Sequence, residues 1–468
     1  MTITVTQPVT GEVVQPRQSR GQGGSPYLLV PITLLFALLI VAVIRAPHLV
    51  TSAGLGSAVI VAAPLILATY ALMSVAIAGR GTVELSIGPL ISFINVTLIQ
   101  LVDSGLFNNP ITTFAYAILL GILYELILGS IIVFVRVQPI IVSLSGYLAL
   151  NGINMVILPR PGGVAPDWMA DWGAGISVLS PVLVVVVLAT VAWFLFARTA
   201  FFTHLRLMGS DERAAYTSGI PITIVRLGAH AIAGAYAGLA AITFTSLIGS
   251  GDPSQGRTYT LIAVTAMVLG GTSLAGGRGG VMGSLFGAVN LYLITYVLAT
   301  LNFGAVQSFV TDLSYGTILV ISLLLTLALP FIQRHVRSFS PLLYFVALSM
   351  VTLGVILHST FDYASLAGAA KDGAAIAPTV AAPFHGVLEG VYETAGAPGQ
   401  GFSSTWVMAG VLLVLIPILL RVVVSRSSRE DVSLAIYLVI GALVLLVGYT
   451  LAFGSGHDFP LLLPGGAR

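Results

Sequence analysis

Thirteen apolar runs follow one another between Tyr27 and Phe453, each cut after about 11–27 residues by glycine, proline, asparagine or charge. Crossing a hydrocarbon layer about 30 Å thick takes roughly 20 apolar residues in a helix. Lipid offers no partner to a free N–H or C=O, so a chain of such runs must cross as helices. Charged residues make up 8% of the sequence and hydrophobic residues 57%, where soluble domains carry about 25% charged residues. The chain is therefore read as an all-α polytopic membrane protein. Its runs are 27–45, 57–78, 85–102, 112–135, 139–158, 177–197, 222–248, 259–269, 281–301, 308–332, 342–358, 406–420 and 432–453.

Residues 1–26 are polar, without the basic-then-apolar order of a cleavable signal peptide, and read as a disordered cytoplasmic tail. Alternating the runs from a cytoplasmic N-terminus puts fourteen of the nineteen basic residues inside and five outside, in keeping with the positive-inside rule. Loops 159–175 and 360–404 then fall outside. There is no cysteine, which excludes disulfides and thiolate metal sites. Lys371 is the only lysine and lies in GAAKDGAA, so no G-x-x-x-x-G-K-[ST] phosphate loop exists and ATP hydrolysis is not a property of this chain. A net charge of +2 gives no reason to expect nucleic acid.

Four features inside this apolar background could carry function. The first is the polar segment Leu207–Ile220. Gly209 and Ser210 are expected to cap a short helix carrying Asp211 and Glu212 in its first turn, continued by Arg213, Ala214 and Ala215 and ended by Gly219 and Pro221. A helix of two turns is marginal alone, so it reads either as a knob that docks into another protein or as an ordinary solvated loop. The second is 270–280, with Gly270, Gly271, Thr272, Gly276, Gly277, Arg278 and Gly279. Coming after a run of only about eleven residues, it is expected to be a broken or re-entrant helix rather than a plain hairpin.

The third is Thr82–Pro89, where Glu84 is read first as a helix-capping carboxylate and second as a pathway residue, beside Ser86. The fourth is a set of polar residues within the runs: Asn95, Gln100, Ser143, Ser145, Tyr147, Asn151 and Asn154. These serve either interhelical hydrogen bonds or a path for a hydroxylated solute. Glu125 is a membrane acid with no partner that the sequence names. No His/Asp/Glu group has metal-ligand spacing, since His204, His230, His335 and His358 are scattered, and no catalytic motif is present, so no metal and no covalent chemistry are expected.

These residues resemble the permease subunits of bacterial ATP-binding cassette importers of the ribose/xylose/galactose class, relatives of the branched-chain amino-acid permeases. Gly209, Ala214, Ala215, Ser218, Gly219 and Ile220 match one element of that family. Ser250, Gly251, Pro253 and Gly256 match a second. Val268 to Gly279, with Gly283 and Gly287, match the third and most specific. Glu84–Gly88 resembles an aspartate-leucine-serine-valine-glycine element, with glutamate in place of aspartate, and Asp211 replaces a customary asparagine.

The resemblance implies a ten-span permease core over 27–337, with 338–468 as an extension of about three spans that the family lacks. It implies a bacterial inner-membrane importer of a small solute, a monosaccharide by preference. It further implies a second permease copy or homologue, cytoplasmic ATPases holding the ATP and Mg, and an extracytoplasmic solute-binding protein, with Gly209–Ile220 as the coupling helix. On the residues alone, an ion-driven secondary transporter and a non-transporting scaffold are the other classes open.

Overall fold

The computed structural model describes residues 29–79, 81–174, 180–301, 309–311, 313–318 and 320. The tail 1–26, the extension 338–468 with its loop 360–404, Arg80 and most of the run 308–332 lie outside the described residues. Among the described residues the structure is helical, apart from one antiparallel bridge between Gly162 and Gly251. The helices are α1 (Leu29–Arg45), α2 (Ser52–Ile77), α3 (Ile87–Asp103), α4 (Pro110–Ser130, continued by a π turn to Val135), α5 (Pro139–Ile157), α6 (Asp167–Gly173), α7 (Pro181–Phe196), α8 (Ala200–Ser210), α9 (Glu212–Thr217), α10 (Ile222–Ile248), α11 (Gly256–Leu269) and α12 (Val281–Ala299). Among the described residues five stretches are long and apolar enough to cross a membrane: Ser52–Ile77, Pro110–Val135, Pro139–Ile157, Ile222–Ile248 and Val281–Ala299. The pair Pro181–Phe196 and Ala200–Ser210 meets the same test jointly but bends by 80° between them.

The apolar runs predict α1–α5, α7 and α10–α12 to within a few residues because the signal is local, whereas α6 falls in the stretch 159–175 read as a loop. Caps fix several ends: Thr51 accepts from Gly54 N, Asn109 from Ile111 N and Ser180 from Val182 N, with proline in the first turn of α4, α5 and α7. Hydropathy does not say which helix is central. That place belongs to α2, which is apolar on all sides and buried from Ala62 to Ile77, as an all-round apolar helix inside a bundle should be. It is surrounded by α7, α10, α11 and α12. In contrast, α4 and α5 turn large residues outward, among them Leu119, Leu123, Ile127, Leu148 and Val156.

The tightest seam joins α4 to α10, which run antiparallel. Ala117 faces Gly238, Gly121 faces Gly234 and Glu125 faces His230, so each step of four residues along one helix is matched on the other. A Cβ on Gly234 would stand 2.7 Å from Ile122 Cα, and one on Gly238 2.5 Å from Ala117 O. Small residues four apart let two backbones touch where lipid supplies no hydrophobic drive for association.

One expectation changes here. The segment 270–280 is not a broken helix. Helix α12 returns antiparallel to α11, with Gly270 against Gly283 and Ala266 against Gly287, so the glycines make a tight hairpin. Small residues allow the two helices to close at its base, a packing need that the sequence does not distinguish from a break. Buried non-helical backbone is elsewhere, in the break between α2 and α3. Thr82, Glu84 and Ser86 are buried there in non-helical backbone. Such backbone is tolerated only where protein or trapped water satisfies it. Side chains from other helices do so: Ser143 Oγ donates to Val83 O at 3.0 Å and Thr260 Oγ1 to Leu85 O at 3.0 Å.

Candidate functional site

Helix α8 leaves α7 at the 80° bend, α9 follows at once, and α10 re-enters the bundle. The elbow is thus the polar segment read from the sequence, with its capping corrected. Gly209 and Ser210 belong to the last turn of α8, and Asp211 alone caps α9: its Oδ1 accepts from Arg213 N at 2.9 Å and Ala214 N at 3.0 Å. An aspartate with two N–H groups within reach is a stronger cap than a glycine-serine pair, and extended backbone at Asp211 breaks one helix from the next. Gly219 closes α9, its N–H donating to Tyr216 O at 3.0 Å.

Ala214 and Ala215, paired in the sequence reading, face opposite ways. Ala215 is buried against the bundle, whereas Arg213, Ala214, Thr217 and Ser218 are exposed. Tyr216 is 74% exposed, a large aromatic left open to solvent that the sequence reading passed over. Its signal was an aromatic residue one position beyond a small pair on a short helix.

The elbow is held rigidly from behind. Gly209 of α8, Gly79 at the end of α2 and Gly276 and Gly277 of the hairpin meet backbone to backbone. A Cβ on Gly79 would stand 2.7 Å from Gly209 Cα, and one on Gly209 2.6 Å from Gly277 N. Gly79 and Gly276 have φ of +86° and +99°, a region costly to any residue with a Cβ. Gly277 N donates to Ile77 O at 3.0 Å and Arg206 Nε to Gly277 O at 3.3 Å. Glu212 of α9 pairs at 3.0 Å with Arg226, a buried residue of α10. So the elbow and the glycine-rich hairpin, far apart in sequence, form one joint, and that joint begins the α2–α3 break. Thr272 is buried in the same hairpin, while Gly270 and Gly271 terminate α11 and Arg278 O accepts from Ser273 N at 3.0 Å.

The break carries Glu84 inward. Its Oε1 accepts from Ser86 N at 3.1 Å and Ser86 Oγ at 2.6 Å, so the capping expectation describes part of its role. Glu125, which the sequence left without a partner, lies 2.7 Å from His230 Nδ1 across the α4–α10 seam. One oxygen or nitrogen each of Glu84, Glu125 and His230 falls within 4.8 Å of the others. Spacing along the chain gave no metal-ligating group, since these residues come from three separate elements.

The other polar candidates separate by role. Asn95 Nδ2 donates to Thr245 Oγ1 at 2.9 Å and Ser250 O at 3.0 Å, and its Oδ1 accepts from Asp252 N at 2.8 Å. It pins the segment 249–255, which fills the depth that the short α11 leaves. Ser143 and Asn154 bond backbone carbonyls of the break and of α3. All three are interhelical ties. Tyr147 and Asn151 stand half-buried at the edge of the packed face of α5. A groove of about 390 Å³ between α4 and α5 is lined mostly by apolar residues such as Leu128, Ile141 and Ala149, with hydroxyls only from Tyr124 and Ser145, which suits a hydroxylated solute poorly.

The described residues thus form a bundle of apolar helices, several long enough to cross a membrane, with one polar elbow between α7 and α10. The chain belongs to the family described as branched-chain amino acid transport system / permease component, which matches residues 18–329. It is 29% identical to the ribose import permease protein RbsC of Escherichia coli K12 over 249 residues, 52% of this chain and 76% of the relative. It is 28% identical to RbsC of Bacillus subtilis 168 over 254 residues, again 52% and 76%. The autoinducer 2 import system permease protein LsrD of Salmonella paratyphi B is 27% identical over 251 residues, 52% of this chain and 74% of the relative. No solved structure matches. The chain is accordingly a multi-pass permease of the bacterial inner membrane.

Proposed function

We propose that this chain forms the translocation pathway of an ATP-driven importer of a monosaccharide, with ATP hydrolysed on a separate cytoplasmic subunit that seats α9. The exposed face of α9, Arg213, Ala214, Tyr216 and Thr217, is the observation that carries this reading. It projects from an elbow whose other face is locked to the α2–α3 break by the glycine joint and to α10 by Glu212–Arg226. A push on Tyr216 is thereby delivered to the break rather than absorbed by a loose loop. Aromatic side chains are the usual anchors of such contacts. The ribose relatives favour a monosaccharide. Nine apolar helices (α1–α5, α7, α10–α12) and the helical residues near 309–320 support a ten-span core, and the arginine distribution supports an N-terminus and an elbow in the cytoplasm. A second permease copy and a solute-binding protein complete the assembly.

The chain has no cysteine, so a single Thr217→Cys reports the side of the elbow directly. It should react with a membrane-impermeant maleimide in inside-out vesicles and stay unlabelled in intact cells; the reverse pattern removes the proposal. Tyr216→Ala and Ala214→Arg should abolish co-purification of the ATPase subunit and ATP-dependent uptake of labelled ribose while the protein remains monodisperse. Unchanged binding by both variants also removes it.

A further inference from the structure

Where the α2–α3 break meets the α4–α10 seam, three groups that ionise are gathered in a place with no solvent. Glu84 is 2% exposed, Glu125 0% and His230 1%. Uncompensated charge at membrane depth is expensive, and such groups persist where they are paired or hold something. The pairing seen here is incomplete. Glu125 spends Oε2 on His230 Nδ1, and its Oε1 has no hydrogen-bond partner; His230 Nε2 has none either. Acceptors left bare in an apolar interior are costly, so a partner that uses them stabilises the fold.

We propose that Glu84, Glu125 and His230 form a site for one divalent transition-metal ion of the zinc or manganese kind, separate from the transport reading above. The donor set decides the chemistry. Imidazole with two carboxylates suits Zn²⁺ or Mn²⁺, while Mg²⁺ and Ca²⁺ prefer oxygen alone. Charge closes as well: two carboxylates and a neutral imidazole around a divalent ion leave the buried site neutral.

Spacing is close to what is needed. Ligands at about 2.0–2.2 Å from an ion lie at most about 4.4 Å apart, and the three atoms lie within 4.8 Å. Two supports orient the ligands. Ser86 holds Glu84 through two hydrogen bonds, and Gly129 lies against the His230 ring, where a Cβ would stand 3.1 Å from Cγ and Cδ2. Three protein ligands leave a coordination position for water. The bound ion ties the broken helix to α4 and α10, and so restrains the element to which the elbow is jointed.

The test uses the full chain with a non-histidine affinity tag, stripped with chelator and placed in lipid nanodiscs. It is titrated with Co²⁺ and followed by visible absorption, and Zn²⁺ and Mn²⁺ are scored by thermal stability. One saturable Co²⁺ per chain with a four- or five-coordinate spectrum is expected, together with a higher Tm in Zn²⁺ or Mn²⁺. Glu125→Gln and His230→Gln should each weaken binding by at least about tenfold, and His204→Gln on α8 should not. If those two variants do not fold, Glu84→Asp keeps the carboxylate but withdraws it by one methylene, and should weaken binding too. No saturable site, proton uptake without metal, or affinity unchanged in the foldable variants overturns the proposal.

Discussion

Replacing Gly209 with alanine adds one methyl group at the centre of the joint that links the elbow to the break. That methyl would overlap Ile77 O and stand 2.6 Å from Gly277 N, where non-bonded heavy atoms settle at about 3.5–4.0 Å. Backbone atoms lie on both sides, so no side chain can rotate away. The strands of the joint must part by about 1 Å, an overpacking that costs about 1–3 kcal/mol. The 3.0 Å bond from Gly277 N to Ile77 O lies in the path of that displacement, and its loss adds about 1 kcal/mol. Removing a glycine from the last turn of α8 returns up to about 1 kcal/mol. The balance is a loss of about 1–3 kcal/mol, concentrated where α8, the end of α2 and the hairpin meet.

Gly152→Ala is the matched control, because nothing lies within 4 Å of a Cβ there. We expect Gly209→Ala to lower the Tm of the purified protein in detergent and, on the proposed function, to lower uptake of the transported sugar more than tenfold. Gly152→Ala should match the unmodified chain in both. A Gly209→Ala protein with unaltered Tm and uptake would refute the claim that the elbow and the break form a rigid unit.

Three other outcomes follow from particular contacts. Gly234→Leu drives a side chain into the α4 backbone at Ile122 Cα, 2.7 Å from the Cβ position, and should cost about 3 kcal/mol or more, read as loss of monodisperse protein, while Gly152→Leu is tolerated. Glu212→Gln removes a counter-charge from buried Arg226. Because the Glu212 side chain is 30% exposed, the loss should be about 1–3 kcal/mol, below that of a fully buried pair, and the swapped pair Glu212→Arg with Arg226→Glu should recover part of it in a double-mutant cycle of Tm values. Burial lowers the pKa of His48, in the turn before α2, where Tyr296 Oη and its Nε2 are 3.1 Å apart. The unfolded chain therefore takes up that proton more readily than the fold, and stability contributed by neutral His48 is lost as pH falls below its ordinary value of about 6.5. His48→Gln should shrink the fall in Tm between about pH 7.5 and pH 5.5.

The sequence by itself settled the helical character, the positions of α1–α5, α7 and α10–α12 and the existence of a polar elbow after α7, but not α6, which lies in the stretch 159–175 read as a loop, nor the start of α8. Transfer of apolar side chains from water to lipid is a sum over neighbouring residues, so twenty consecutive letters contain it. Capping is nearly as local, yet the choice of Asp211 over Gly209 and Ser210 turned on backbone geometry that both options allowed. The division of Ala214 from Ala215 is a matter of which side of a six-residue helix meets the bundle, and only the docking of α9 on α10 fixes that.

The same limit explains the glycines and the acids. A run such as Gly270–Gly280 permits both a break and a hairpin, and the antiparallel return of α12 along α11 decided for the hairpin. Glu84, Glu125 and His230 stand in three separate stretches of chain. Their meeting is set by the four-residue register of the α4–α10 seam and by the inward course of residues 81–86, interactions between distant segments whose energies no local reading of hydropathy contains.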